Sequence, residues 1–168
     1  MVKHFIIFFS GFAVIFLQSS FFNILKSPFN SVNLFLFFLI LLLLNGNKAN
    51  VVWGLFFTVI AELYSLLPSG VLTFCTILLF YFIRYISGKF LGDNYFFSLS
   101  ALIFLSVIFY NLLLTAILSL LRVFIPSVMA ADISADTFIY IFYEIISAFF
   151  LLLLFYPPYS LIRTRFKF

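Results

Sequence analysis

Charge is what this sequence has least of. Only 8% of its 168 residues are Asp, Glu, Lys or Arg, against about a quarter in an ordinary soluble domain. A chain this small leaves a large share of its surface exposed however it folds, so an uncharged surface has to face lipid rather than water. Cysteine is nearly absent too. The single Cys75 excludes an intrachain disulfide and a thiolate metal site, and in its apolar stretch it reads as a small packing residue. The only histidine, His4, stands at the very start, a place suited to setting topology. There is no H-E-x-x-H, no G-x-S-x-G and no phosphate loop, so catalytic, metal-binding and cofactor-binding residues are all expected to be absent. The formal charge of +4 comes from basic residues scattered singly or gathered near the C-terminus, which is no footprint for nucleic acid.

What fills the sequence instead is apolar: 66% of residues are hydrophobic and 29 are Phe, and the mean hydropathy is +1.31. A spanning helix needs about 20 mostly apolar residues, fewer where polar flanks snorkel. The fold class this implies is all-α, a polytopic membrane bundle of about six transmembrane helices. It forms one transmembrane domain over 1–168 with no soluble domain. The expected spans are Phe5 to Leu25, Phe29 to Leu44, Val51 to Leu67, Gly70 to Ile86, Tyr95 to Leu121 and Phe138 to Tyr156. Between them stand "KSPFN", "NGNKAN", "PSG", "SGKFLGDN" and "RVFIPSVMAADISADT", clusters of the residue types that interrupt a hydrophobic helix. "GKFLG", Gly88 to Gly92, matches G-x-x-x-G but carries Lys89, and reads as a turn rather than a helix-pairing motif. The first segment's apolar run is too long for a signal-peptide core and "QSSFFN" has no A-x-A pattern, so it is expected to be a retained anchor.

Basic residues set the orientation. With the N-terminus in the cytoplasm, Lys3, Lys48, Arg84, Lys89, Arg163, Arg165 and Lys167 lie inside, and only Lys26 and Arg122 outside. Both termini are therefore expected in the cytoplasm of a multi-pass protein of the cell's inner membrane. The basic end "RTRF" with Lys167 would then lie at an anionic leaflet of the lipid bilayer. Arg84 stands near the inner end of its span, where its stem can snorkel to the headgroups.

Three polar residues remain at membrane depth. Glu62 lies five residues before Leu67, Glu144 six after Phe138 and Gln18 seven before Leu25, which at about 1.5 Å per residue puts all three in the outer third. A carboxyl group in hydrocarbon costs several kcal/mol. Each Glu should therefore face the bundle interior or a small wet cavity, protonated and donating a hydrogen bond, with Gln18 as an acceptor. Two readings of this intramembrane polar cluster stand side by side: a pocket open to the outside, or structural contacts that fix helix packing. Asn111, in the middle of the fifth span, fits the packing role.

The order of these blocks resembles a known family. An N-terminal anchor with a late polar residue is followed by "LLLLNGNKAN", then "GLFFTVIAELYSLLPSGVLTF", a helix ending "YFIRYISG", and finally "YEIISAFFLLLLFYPPYSLIRTRF". That arrangement is similar to MreD, the integral membrane subunit of the bacterial rod-shape system, the elongasome. Its specific part is a glycine opening the third span, an acidic residue late in it and a small-residue turn, matched here by Gly54, Glu62 and the Pro68 to Gly70 turn. The chain departs from the pattern in having Glu rather than Asp at 62, Asn33 where Pro or Arg is common, Thr58 in place of a second glycine, and Glu144 where Asn is usual. The resemblance implies a non-enzymatic scaffold in cell-shape determination and lateral peptidoglycan synthesis. Its implied partners are MreC and, indirectly, MreB, together with RodA and a class B penicillin-binding protein. It also implies a fold similar to the S component of energy-coupling-factor transporters, which makes a substrate-binding S component of a vitamin transporter the alternative function. Ser10, Gly11 and Ala13 on the first span lack the four-residue spacing of small residues expected for docking to a transporter's coupling subunit.

Overall fold

The structure, a computed structural model, describes residues 2–20, 32–44, 47–65, 67–90, 95–124 and 135–166. The described residues form six helices: α1 (Val2–Ser20), α2 (Leu34–Leu44), α3 (Lys48–Leu63), α4 (Val71–Phe90), α5 (Tyr95–Phe124) and α6 (Ala135–Phe166). Three of them are long and apolar enough to cross a membrane, over Val71–Gly88, Phe96–Phe124 and Thr137–Leu154, while His4–Ser20 and Leu34–Leu44 are shorter apolar helices.

Helix α2 is the centre of the molecule. Its sequence, LFLFFLILLLL, is apolar on every side, and a helix without a polar face is stable only where every side is covered. Accordingly α2 packs against all five other helices, and Leu36, Leu39 and Ile40 are fully buried. It divides the core in two. Leu36, Phe37, Ile40 and Leu43 join residues of α4, α5 and α6, including the buried Cys75, Leu79 and Leu152. Phe35 and Leu39 join Ile15 of α1 and Phe57 of α3. On that second side Gly11 lets α1 close onto α3, because a Cβ there would stand only 2.3 Å from the Phe57 ring.

Local chemistry sets several boundaries away from the sequence expectation. Helix α2 does not start at Phe29: Val32 and Asn33 are non-helical, and Asn33 accepts the Leu36 N–H through Oδ1 at 2.9 Å, the bond of an N-cap. Residues 21–31, which hold the expected end of the first span, lie outside the described residues. Eleven residues make α2 about 16 Å long, roughly half the hydrocarbon thickness. Helix α3 starts at Lys48, before the expected Val51, because Asn47 caps it by accepting the Ala49 N–H. It stops at Leu63 rather than Leu67 because Ser65 takes the Glu62 carbonyl with both its N–H and its hydroxyl, ahead of Pro68. Gly88 is helical within α4, so the expected turn at "GKFLG" begins inside a helix; residues 91–94 lie outside the described residues. Helix α6 continues to Phe166, beyond the expected Tyr156.

The outside of the bundle is greasy. Phe16, Phe97, Phe124 and Phe150 are each more than 60% exposed, and only 17% of the apolar window of α6 is buried by other helices. A surface of this kind has lipid as its natural solvent.

Candidate functional site

The polar side chains of interest gather where α1 and α3 end and α2 and α4 begin. Gln18, in the last turn of α1, reaches over to the start of α2: its Nε2 donates to the Val32 carbonyl at 3.1 Å and its Oε1 accepts the Leu34 N–H at 2.9 Å. The first N–H groups of a helix have no partner inside it. Gln18 supplies one from a neighbouring helix.

Glu62 does the same for α4. Its Oε1 accepts the Leu72 N–H at 2.9 Å and its Oε2 accepts the Thr73 hydroxyl at 2.8 Å, across the Pro68 to Gly70 turn. The residue preceding α4, Gly70, has φ of 95°, a left-handed conformation that glycine adopts without a Cβ clash. Glycine offers no side chain for capping, so the carboxyl of α3 fills that place. Oε1 of Glu62 therefore accepts from a backbone N–H, and Oε2 is paired with a hydroxyl. Gly54, the other member of the family-like motif, is buried and packs on α2; a methyl there would make ordinary contacts with Leu39, Leu42 and Leu43 at 3.5–3.6 Å.

Glu144 is placed differently. It is 1% exposed, on the face of α6 that meets α5. Its Oε2 accepts a short hydrogen bond from Asn111 Nδ2, which also donates to the Val107 carbonyl at 2.9 Å. Its Oε1 has no hydrogen-bond partner. The Asn33 carboxamide faces it from the start of α2.

A cavity of about 330 Å³ lies among these groups, with Gln18, Asn33, Asn111, Tyr64, Tyr110 and Tyr140 in its wall. Of the three residues expected to cluster, only Gln18 lines it. Glu62 and Glu144 stand one step behind, next to Ala61 and behind Asn111 respectively. Among the described residues no hydrogen bond joins any two of Gln18, Glu62 and Glu144. Sequence reasoning missed Asn33, although a lone Asn just before an apolar run is a readable capping signal. It also missed the tyrosines, which no local pattern marks.

No group of three or more His, Cys, Asp or Glu side chains among the described residues is placed to hold a metal ion. At the opposite end of α1 and α3, the Trp53 indole donates to His4 Nδ1 at 3.1 Å, tying the two helices together. Comparison with known proteins identifies no family: no family model, no curated protein and no solved structure matches the chain.

Proposed function

We propose that the chain is a non-enzymatic membrane scaffold of the MreD type, a six-helix bundle of the inner membrane with both termini in the cytoplasm. It would act in rod-shape determination and lateral peptidoglycan synthesis, held to MreC and through it to MreB, RodA and a class B penicillin-binding protein. The observation that carries the reading is the motif of Gly54, Glu62 and the Pro68 to Gly70 turn. In space the acid and the turn are one unit, with the Glu62 carboxyl closing the turn by capping α4. The lipid-facing exterior supports it too, since a scaffold with so few extramembrane residues must meet its partners through helix faces. Close packing against one further helix is the interaction such faces offer.

A second reading rests on the cavity at the same end. A polar-walled space of about 330 Å³ falls at the small end of ligand-pocket volumes, and favours a substrate-binding subunit of an energy-coupling-factor transporter. One experiment separates the two. The chain is co-expressed with the MreC of the same organism and, separately, with the ATPases and coupling subunit of its transporters, then purified in mild detergent. Co-purification with MreC is expected. Recovery with the ATPases and coupling subunit instead would overturn the scaffold in favour of transport.

A further inference from the structure

We infer that His4 and Trp53 form a pH-sensitive clasp, which holds the start of α1 against α3 while the imidazole is neutral and releases it when the imidazole takes a proton. The Trp53 indole donates its N–H to His4 Nδ1 at 3.1 Å. An indole nitrogen donates and never accepts, so the imidazole nitrogen that meets it has to be bare. A proton on that nitrogen takes up the lone pair, and the bond is lost with it. The ring centroids are 6.3 Å apart and the planes 37° from each other, and the indole meets the imidazole through its N–H. That edge is the positive rim of the ring system, so an imidazolium finds no aromatic face here to replace the lost bond. His4 is exposed in the first turn of α1, at the end of the apolar helix His4–Ser20, where water supplies the proton.

What the clasp holds is an edge helix. Helix α1 packs on α2 and α3 alone, and among the described residues two polar ties fasten it: Gln18 to the start of α2 at one end, and Trp53 to His4 at the other. Between the ties the contacts are apolar, Phe8 against Trp53 and Gly11 and Phe12 against Phe57. Opening the clasp therefore leaves α1 fastened by polar bonds only at Gln18. No neighbouring group takes the proton in place of His4. Helix α2, LFLFFLILLLL, has no titratable side chain. On α3 there are two: Lys48, five residues before Trp53 and already a cation, and Glu62, nine residues after it and bonded to α4, about 13 Å away along the axis. On α1 itself the other titratable residue is Lys3, the neighbour of His4 in sequence. A helix start is also the positive end of the helix dipole, so a charge on His4 adds repulsion to the lost bond.

The clasp does not depend on the scaffold reading, and it is measured on the purified chain in neutral-detergent micelles without partners. His4 is the only histidine and Trp53 the only tryptophan, so each signal has one source. Hydrogen exchange at the start of α1 is compared between the original chain and His4→Asn at the same pH, which cancels the effect of pH on the exchange chemistry. Asn offers an uncharged oxygen near the place of Nδ1 at every pH. At about pH 8 the two chains are expected to exchange alike, and at about pH 5, where an imidazole is charged, the original is expected to exchange about fivefold faster, the effect of one lost hydrogen bond. Over the same range acrylamide quenching of Trp53 fluorescence is expected to rise in the original chain and stay level in His4→Asn. His4→Lys, charged throughout, is expected to show the faster exchange already at the upper pH. The proposal is overturned if acid leaves the original chain exchanging like His4→Asn, if quenching rises as much in His4→Asn, or if His4→Lys exchanges like His4→Asn at the upper pH. A rise in quenching without faster exchange overturns the release of α1 as well. Should His4→Lys not fold, the comparison of the original chain with His4→Asn decides.

Discussion

Two carboxyl groups at the same end of the bundle have met opposite fates. Glu62 stands at the last turn of α3, half-buried, with both oxygens accepting hydrogen bonds from the first turn of α4. Glu144 is buried between α5 and α6 with one oxygen bonded to Asn111, while the Asn33 carboxamide faces the carboxyl from the start of α2 without a hydrogen bond of ordinary geometry to the other oxygen. Each loses water on folding, Glu144 more completely than the half-buried Glu62. At Glu62 the helix end offsets it, because unpaired N–H groups need an acceptor as much as the carboxyl needs donors. At Glu144 the offset is half-made. A carboxyl with both oxygens serving the fold is explained by the fold, whereas one with an oxygen less fully engaged is a candidate for chemistry with something else.

Substitutions that remove each group in turn are the sharpest test of that contrast. The largest loss is expected from Glu62→Leu, which strips an acceptor from both Leu72 and Thr73. Unfolding in mixed detergent micelles should show a destabilisation of about 1–2 kcal/mol, the scale of a lost helix cap plus an interhelical hydrogen bond. Glu62→Gln keeps an oxygen for the Leu72 N–H and an amide for Thr73. It forfeits at most the attraction of a negative charge for the helix end, about 0.3–1 kcal/mol. If Gln proved as damaging as Leu, charge rather than capping would be the working feature of Glu62.

Gln18→Leu comes next. Gln18 serves α2 as Glu62 serves α4, but α2 also has Asn33 as its own cap, so the same unfolding measurement should give about 0.5–1 kcal/mol. A loss equal to that of Glu62→Leu would mean that Asn33 contributes little. The smallest effect is expected at Glu144→Leu. Asn111 keeps the Val107 carbonyl and the orphaned oxygen disappears, so stability should change by less than about 0.5 kcal/mol or rise, as happens when an imperfectly paired buried polar group gives way to an apolar one. A loss as large as that of Glu62→Leu would erase the contrast and make Glu144 a structural residue.

How much of this was legible in the chain depends on the residue. The acid at 62 and the turn at Pro68 to Gly70 stand close in sequence, and the helix that the turn starts is one residue further on; the two were legible as neighbours, while the cap that Glu62 places on α4 came only with the structure. Depth in the membrane says that a carboxyl must be satisfied, not by what. A helix N-terminus offers backbone donors, so Oε1 accepts from Leu72, and Oε2 pairs with the Thr73 hydroxyl. Glu144 and Asn111 are 33 positions apart. Whether they meet depends on how α5 and α6 are rotated against each other, and helices so uniformly apolar carry little periodic pattern to fix that rotation.

The apolar character and the helices were legible in the sequence itself: charge at 8% and apolar residues at 66% pointed to long apolar helices, which satisfy their own backbone where water is absent, and three of the helices are long and apolar enough to cross a membrane. The faces were decided only in three dimensions. LFLFFLILLLL reads equally well as any one of six spans, yet it became the short central helix that every other helix touches. A segment apolar all round is stabilised by whatever covers it, and names no neighbour. The same holds for the cavity, whose wall draws one or a few residues from each of six helices. Its shape and polarity follow from how those helices pack, a property of no single stretch of chain.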